Sequence, residues 1–202
     1  MKIFKSFDLE LAEILKNGGI GVIPTDTIYG IVGSALNVDV VEKIYKLRKR
    51  NKKKPMIILI GSIDDLKLFG ITLDSKTKRI LSKIWPNKIS VVLSCRNKKF
   101  SYLHKGTGSL AFRSPICING SRNRGLAYFL KKTGPLVAPS ANWEGYEPSR
   151  NIRGARGYFG DRIDFYVDAG TKMSLPSTLI MIKNGEIEIL REGAVKLSVK
   201  SG

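Results

Sequence analysis

Along most of the chain, apolar runs of strand length alternate with amphipathic stretches of helical period, the pattern of an α/β fold. Leu9 to Lys16 reads as a first helix, stopped by Asn17-Gly18-Gly19. Ile20 to Ile23 is a short buried strand running into Pro24-Thr25-Asp26-Thr27, and Ile28 to Val32 resumes extended structure. Asn37 then caps a helix that continues through Ile44 and Leu47 into a basic cluster. Met56 to Ile60 is another strand, followed by helices over Ser62 to Phe69 and Ser75 to Trp85. Ile89 to Leu93 and Leu110 to Arg113 are strands flanking a Gly-rich loop, Gly106-Thr107-Gly108-Ser109. A helix near Arg122 to Lys132 leads to a strand over Leu136 to Ala138 and the polar loop Pro139-Ser140-Ala141-Asn142. Ser177 to Ile182 and Glu186 to Arg191 flank Asn184-Gly185, a hairpin signal that interrupts a strict βαβ series. The expectation is α/β: a single domain over residues 1–202, with a twisted mixed sheet flanked by helices.

Composition narrows the chemistry. Of 202 residues, 43% are hydrophobic and 26% charged, enough to bury a core. No apolar run approaches the roughly 20 residues that span a bilayer, and Met1 leads into charged sequence rather than a signal peptide. The two cysteines, Cys95 and Cys117, form no CxxC, so the chain reads as a soluble cytoplasmic protein in a reducing environment. His104 is the single histidine, which argues against His-rich metal sites and Ser-His-Asp hydrolysis and reads as a loop residue. Lys plus Arg number 35 against 17 acidic residues, a net charge of +18. That surplus favours anionic partners such as nucleotides or RNA, although A/T-rich codons for Lys, Ile and Asn explain it equally well. Its densest part is Arg48, Lys49, Arg50, Lys52, Lys53 and Lys54, either a solvated helix end or cations converging on phosphates.

Neither GxGxxG after the first strand nor GxxxxGK[ST] occurs. Instead, hydroxyls stand at strand ends (Thr25, Thr27, Ser109, Ser140, Ser177, Thr178), as do Arg113 and Arg191. Strand ends are where open α/β sheets hold ligands, and an arginine there offers two parallel donors to a carboxylate or phosphate. Singly, each motif has an ordinary explanation: an Asx turn at 24–27, a helix cap at 140–142, a hairpin loop at 106–109.

Taken in order, the motifs resemble the YrdC-type threonylcarbamoyl-AMP synthase family in its single-domain form. They are Pro24-Thr25-Asp26-Thr27-Ile28-Tyr29-Gly30, Ile44-Tyr45 leading to Arg50 and Lys54-Pro55, Trp85-Pro86, Arg113-Ser114-Pro115, Ala138 to Asn142, Pro176-Ser177-Thr178 and Arg191-Glu192-Gly193. The likeness runs from about Leu9 to Ala194. It implies that L-threonine, bicarbonate and ATP combine into threonylcarbamoyl-AMP with release of pyrophosphate, for threonylcarbamoyladenosine modification of tRNA. Such a reaction needs alignment and charge neutralisation rather than a covalent nucleophile.

By the same resemblance, Thr27, Arg113, the Ala138 backbone and Ser177 are expected around the threonine. Arg48, Arg50 and Lys54 are the expected catalytic cations, with Arg50 and Lys54 on the ATP phosphates. Ser109, Ser140, Asn142, Ser149 and Arg191 are expected around the nucleotide. Mg²⁺ is expected with ATP, held mainly by phosphates and water. The product would pass to a tRNA threonylcarbamoyl-transfer complex, and direct RNA contact through the basic surface stays open.

Three positions depart from the family pattern. Arg48-Lys49-Arg50 stands where the family has Lys-x-Arg, so Arg48, Lys49 or a lysine from 52 to 54 takes the Lys role. Leu59 replaces a frequent His, and an extra residue around Glu144 to Glu147 loosens the placement of Ser149. The alternatives are a non-catalytic YrdC-like RNA-binding protein and a carbamoyl-phosphate enzyme like the related domain of hydrogenase-maturation proteins.

Overall fold

Strands whose side chains are apolar at every position are covered on both faces. In the computed structural model, which describes residues 1–116, 125–183 and 185–197, this holds for β2 (Gly21–Pro24), β3 (Tyr29–Ser34), β4 (Ile57–Leu59) and β7 (Leu136–Val137). Alternate residues separate onto two cores: Val22, Ile31, Ile58 and Val137 face one, and Ile23, Val32, Leu59 and Leu136 the other. Helices α1 (Leu9–Lys16) and α5 (Leu126–Thr133) cover the second core with Leu11, Leu15, Leu126 and Leu130. Helix α2 (Val38–Leu47) covers the first with Val40, Val41 and Ile44.

The remaining strands are β1 (Lys2–Phe4), β5 (Ile89–Ser94), β6 (Ser109–Arg113), β8 (Phe165–Val167), β9 (Thr178–Lys183) and β10 (Glu186–Arg191). Together the ten described strands form one mixed sheet in the order β1-β8-β2-β3-β7-β4-β6-β5-β9-β10. β4 runs parallel to β6, and β5 parallel to β9, while β5 and β6 are antiparallel. On β5 and β6, Ile89, Val91, Leu93, Leu110 and Phe112 face the first core. Helix α3 (Ser75–Ile84) and the short α4 (Ser101–His104) add Leu81 and Leu103 to that side.

The outline expected from the sequence is present, with differences of physical origin. Residues Ile63–Phe69 form a 3₁₀ rather than an α-helix. Asp65 Oδ2 accepts from the N–H groups of Gly61 and Ser62 and closes a tight first turn, and Gly70 at φ +70° ends it. Helix α6 (Ile152–Phe159), absent from the sequence reading, carries two glycines that mask its period. Asn151 caps it, its side chain accepting from Gly154 N–H, and Ala155 and Phe159 are buried. β1 and β8 have three residues each, too few for a periodic signal. The Arg122 end of α5, Cys117 and the hairpin residue Asn184 lie outside the described residues.

Tyr29 ties the covered half to the segment that walls the cleft. Its buried hydroxyl donates to Gly170 O (2.8 Å) and accepts from Ala169 N–H (2.9 Å), and burial pushes its pKa up. Gly21 marks a close approach: a Cβ there would fall 2.2 Å from the Phe165 ring, its cross-strand neighbour on β8. Gly21→Ala is therefore expected to lower unfolding stability by about 1–3 kcal/mol in urea titrations, because a packed ring has nowhere to move.

Candidate active site

The outer strands have helices on one face only, and the other face floors a cavity. Ile57 on β4, Ala111 on β6, Val92 on β5 and Leu179 and Met181 on β9 line a space of about 400 Å³, edged by Arg50, Thr107, Ser109, Ser140 and Arg191. Their register explains the grouping. Ile57 and Val92 both stand opposite Ala111, and Val92 opposite Met181, so the side chains project from one face of four adjacent strands.

A smaller cavity of about 110 Å³ adjoins it, lined by Thr25, Thr27, Arg113, Ala138, Ser177 and Arg191 among others. The two share Ile57, Pro139, Ser140 and Arg191. Strand ends build this smaller site: Thr27 follows β2, Arg113 ends β6, Ala138 follows β7 and Ser177 precedes β9. Thr25 Oγ donates to Ile28 O (2.7 Å) and accepts from Thr27 N–H (3.2 Å), which closes the 24–28 turn and aligns the Thr27 hydroxyl 3.0 Å from its own. Ser177 Oγ shares a hydrogen bond with buried Ser90 Oγ (2.8 Å), and Arg191 Nη2 donates to Ser177 O (2.7 Å).

Gly193 makes this junction possible. A Cβ there would fall 2.5 Å from the backbone of Pro176 to Thr178, and Ala194 N–H donates to Pro176 O (2.8 Å). The Arg-Glu-Gly run is thus the requirement that one backbone press on another so that Arg191 reaches the cleft.

Arg113 is 3% exposed and has one ionic neighbour, Asp26, with Nη2 3.2 Å from Oδ1 but off the line of a hydrogen bond. Arg113 Nε and Asp26 Oδ1 have no hydrogen-bond partner among the described residues. Asp26 Oδ2 accepts from Ile116 N–H (3.3 Å). Desolvation, then repulsion from Arg191, pulls the Arg113 pKa down against the attraction of Asp26. Burying such an ion costs several kcal/mol, and one imperfect pair offsets only part of it. A second anion in the small cavity would supply the rest. Desolvation and Arg50 lower the Arg191 pKa in the same sense.

The basic cluster divides its cations. Arg50 lines the larger cavity, braced by bonds from Nε to Lys54 O (3.1 Å) and from Nη2 to Pro55 O (3.0 Å). Tyr45 OH also donates to Lys54 O (3.0 Å), and burial pushes its pKa up to about 12. Arg48 borders neither cavity. It is 2% exposed, and its guanidinium holds the 140–142 loop: Nε to Ser140 O (2.8 Å), Nη2 to Ser140 Oγ (3.0 Å) and to Asn142 Oδ1 (3.4 Å). Desolvation first, then Arg50, lowers its pKa to about 10. Lys49 Nζ lies 3.6 Å above the Trp143 ring. Lys52 pairs with Glu42 (3.7 Å), and Lys54 with Glu144 (2.9 Å), which also accepts from Asn51 N–H (2.6 Å).

Thr27, Arg50, Ser109, Arg113, Ala138, Ser140, Ser177 and Arg191 are therefore brought together on the two cavities. Arg48, Lys54, Asn142 and Ser149 are not. Asn142 spends both side-chain donors on Trp143 O and Tyr146 O (2.7 Å each), and Ser149 Oγ donates to Ala141 O (2.5 Å), so these polar groups shape the loop. Leu59 packs in the second core. His104 is a buried helix-end residue rather than an open loop one: its Nδ1 accepts from Gly106 N–H (3.1 Å), and its carbonyl accepts from Thr107, which orders the loop beside the larger cavity. Sequence reasoning gave no role to Asp26, Ser90 or Glu144. A lone acid beside paired threonines was the only signal for Asp26, and Ser90 becomes a partner of Ser177 only across the sheet.

The Sua5_yciO_yrdC family model, described as Telomere recombination, matches residues 13–193. A curated protein of Mycobacterium leprae named putative threonylcarbamoyl-AMP synthase is 27% identical over 185 residues, 91% of this chain and 81% of its own. One of the same name from Methanocaldococcus jannaschii is 28% identical over 207 aligned positions, 97% of this chain and 95% of its own. The solved structure of Pyrococcus abyssi Sua5 complexed with L-threonine superposes with a TM-score of 0.82 at 22% identity, covering 96% of this chain and 58% of that one. That likeness is one of fold.

The Arg48 clamp stands apart from the two cavities. An ammonium cannot span a carbonyl, a hydroxyl and an amide, so Arg48→Lys is expected to lose about 1.5–3 kcal/mol of stability in urea titrations. Protease cleavage within residues 142–147 should accelerate alongside.

Proposed function

This chain belongs to the Sua5/YciO/YrdC family, and we propose that within it the chain is an L-threonylcarbamoyladenylate synthase, a nucleotidyltransferase. It would join L-threonine, bicarbonate and ATP into threonylcarbamoyl-AMP, releasing pyrophosphate and water, for threonylcarbamoyladenosine modification of tRNA. The observation that carries this reading is a small polar cavity centred on an under-paired buried arginine, opening onto a larger cavity with an apolar floor and cationic edge.

In this reading the amino acid occupies the small cavity. Its carboxylate takes the unpaired face of Arg113, and the Thr27 hydroxyl and the Ala138 and Ser177 backbones fix its orientation. The nucleotide lies on the apolar face of β4, β6, β5 and β9, with Ser109 and Ser140 beside it. Arg50 and Arg191 stand over the triphosphate. The threonine amine captures bicarbonate as a carbamate, with loss of water. A carbamate oxygen then forms a bond to the α-phosphorus as the bond to the β-phosphate oxygen breaks, and pyrophosphate leaves. The shared wall of Ser140 and Arg191 is where those atoms meet, so the protein's part is alignment and neutralisation. Lys54 would reach the phosphates only by leaving Glu144, so that pair is a candidate latch.

Among the described residues no group of three His, Cys, Asp or Glu could hold a metal ion. Mg²⁺ would enter on the ATP phosphates, where it would supply charge neutralisation. No described helix is long and apolar enough to cross a membrane. The product would be handed to a tRNA threonylcarbamoyl-transfer complex. The excess of basic residues also suits direct contact with RNA, which would weaken steeply with salt.

Incubation with ATP, Mg²⁺, bicarbonate and L-threonine is expected to release pyrophosphate only when threonine is present, and carbamoyl phosphate should not replace threonine and bicarbonate. Absence of threonine-dependent release would remove the reading. Arg113→Ala is expected to lower kcat/KM for threonine by ~2–4 kcal/mol, about 30- to 900-fold, in the same assay.

A further inference from the structure

On the far side of the small cavity from the nucleotide face lies a third space of about 400 Å³. It shares Ile28, Pro148 and Pro176 with the small cavity and no residue with the larger one. Its walls are two segments, 147–150 and 172–176, pinned in place: Tyr29 OH holds residues 169 and 170, and Lys172 N–H donates to Arg150 O (2.8 Å).

The cations here lack partners. The Lys172 side chain, half-buried in this wall, makes no hydrogen bond or ion pair among the described residues. Lys88 is near enough to repel it; together with desolvation this lowers the Lys172 pKa, and Asp26 pulls the other way. Arg150, exposed like Glu147, contributes a second cation whose side-chain hydrogen bond among the described residues is to Met173 Sδ (3.7 Å). Glu147, the acidic lining residue, is exposed. A half-buried ammonium beside an arginine, with another lysine pressing on it, gains most from a small oxyanion.

The reaction has one small anionic substrate still without a place. A nucleotide on the sheet face would stand against the shared wall at Ser140 and Arg191, whereas the third space offers bicarbonate a separate route to the small cavity past Ile28, Pro148 and Pro176. We propose that the cavity between residues 147–150 and 172–176 is an entry chamber for bicarbonate, in which Lys172 and Arg150 collect the anion beside the bound amino acid. This rests on the synthase reading. The chamber acts by raising the local concentration of a dilute reactant, as clefts lined by one sign of charge do.

Two measurements separate the chamber from that reading. In threonine-dependent pyrophosphate release, Lys172→Gln should raise KM for bicarbonate about 3- to 10-fold and leave KM for ATP unchanged, and Lys172→Arg should restore the wild-type value. An unchanged bicarbonate KM, or a rise confined to threonine or ATP, overturns the chamber. Independently of activity, the ¹³C line of labelled bicarbonate should broaden with wild-type protein and much less with Lys172→Gln. Equal broadening by both proteins also overturns it. Lys172-dependent broadening without pyrophosphate release would keep the anion site and remove the synthase reading.

Discussion

Helices cover both faces of the sheet over β2, β3, β7 and β4, but only one face over β6, β5 and β9. That unequal cover is the constraint from which the cleft follows. The apolar face of β6, β5 and β9, with Ile57 of β4 at its edge, is left without helices and is a surface that a flat ligand can occupy, and the strand ends beside it carry the polar groups that orient one. The same sheet register that buries Ile58 and Phe112 turns Ile57 and Ala111 toward the opening.

Charge is the second organising force. Arg48 and Arg113 are drawn out of water while Arg191 stays exposed at the cleft edge, and desolvation leads the lowering of each pKa. Their partners differ, and so do their tasks. Arg48 spends its Nε and Nη2 on one carbonyl, one hydroxyl and one amide of the same loop, a tie that builds structure, while its buried Nη1 has no partner among the described residues. Among the described residues Arg113 has one misaligned carboxylate and no hydrogen-bond partner for Nε, which leaves attraction available for an anion. Thus two residues of one type, both named as site residues by sequence, act on opposite sides of the cleft wall: one holds it and one faces through it.

The elements were legible where period and punctuation agreed. Asn37 caps α2 as its sequence position implies, its side chain accepting a bond from the third residue onward, and Asp8, not singled out in the sequence, caps α1 in the same way. The antiparallel pair of β9 and β10 likewise follows from the Asn184-Gly185 signal between two strand-length runs. The three-residue β1 and β8 and the glycine-bearing α6 were not legible, because length or composition hid the period. In the site, eight of the expected residues meet on the two cavities, since motif order places them at strand ends. Asn142 and Ser149 matched the same motifs yet turn inward to bond their own loop, a direction that a string of residue types does not contain.

By itself the sequence determined the α/β class, the α2 cap, the pairing of β9 with β10 and the family, because these depend on local periods and on short motifs in a fixed order. Only the tertiary structure decided which cations line the cavities and which are ties. That choice depends on contacts between residues about 90 positions apart, such as Arg48 with Ser140, Asp26 with Arg113 and Ser90 with Ser177, and on how much water each contact excludes. Burial and partner geometry belong to the assembled sheet, and they give identical side chains different work.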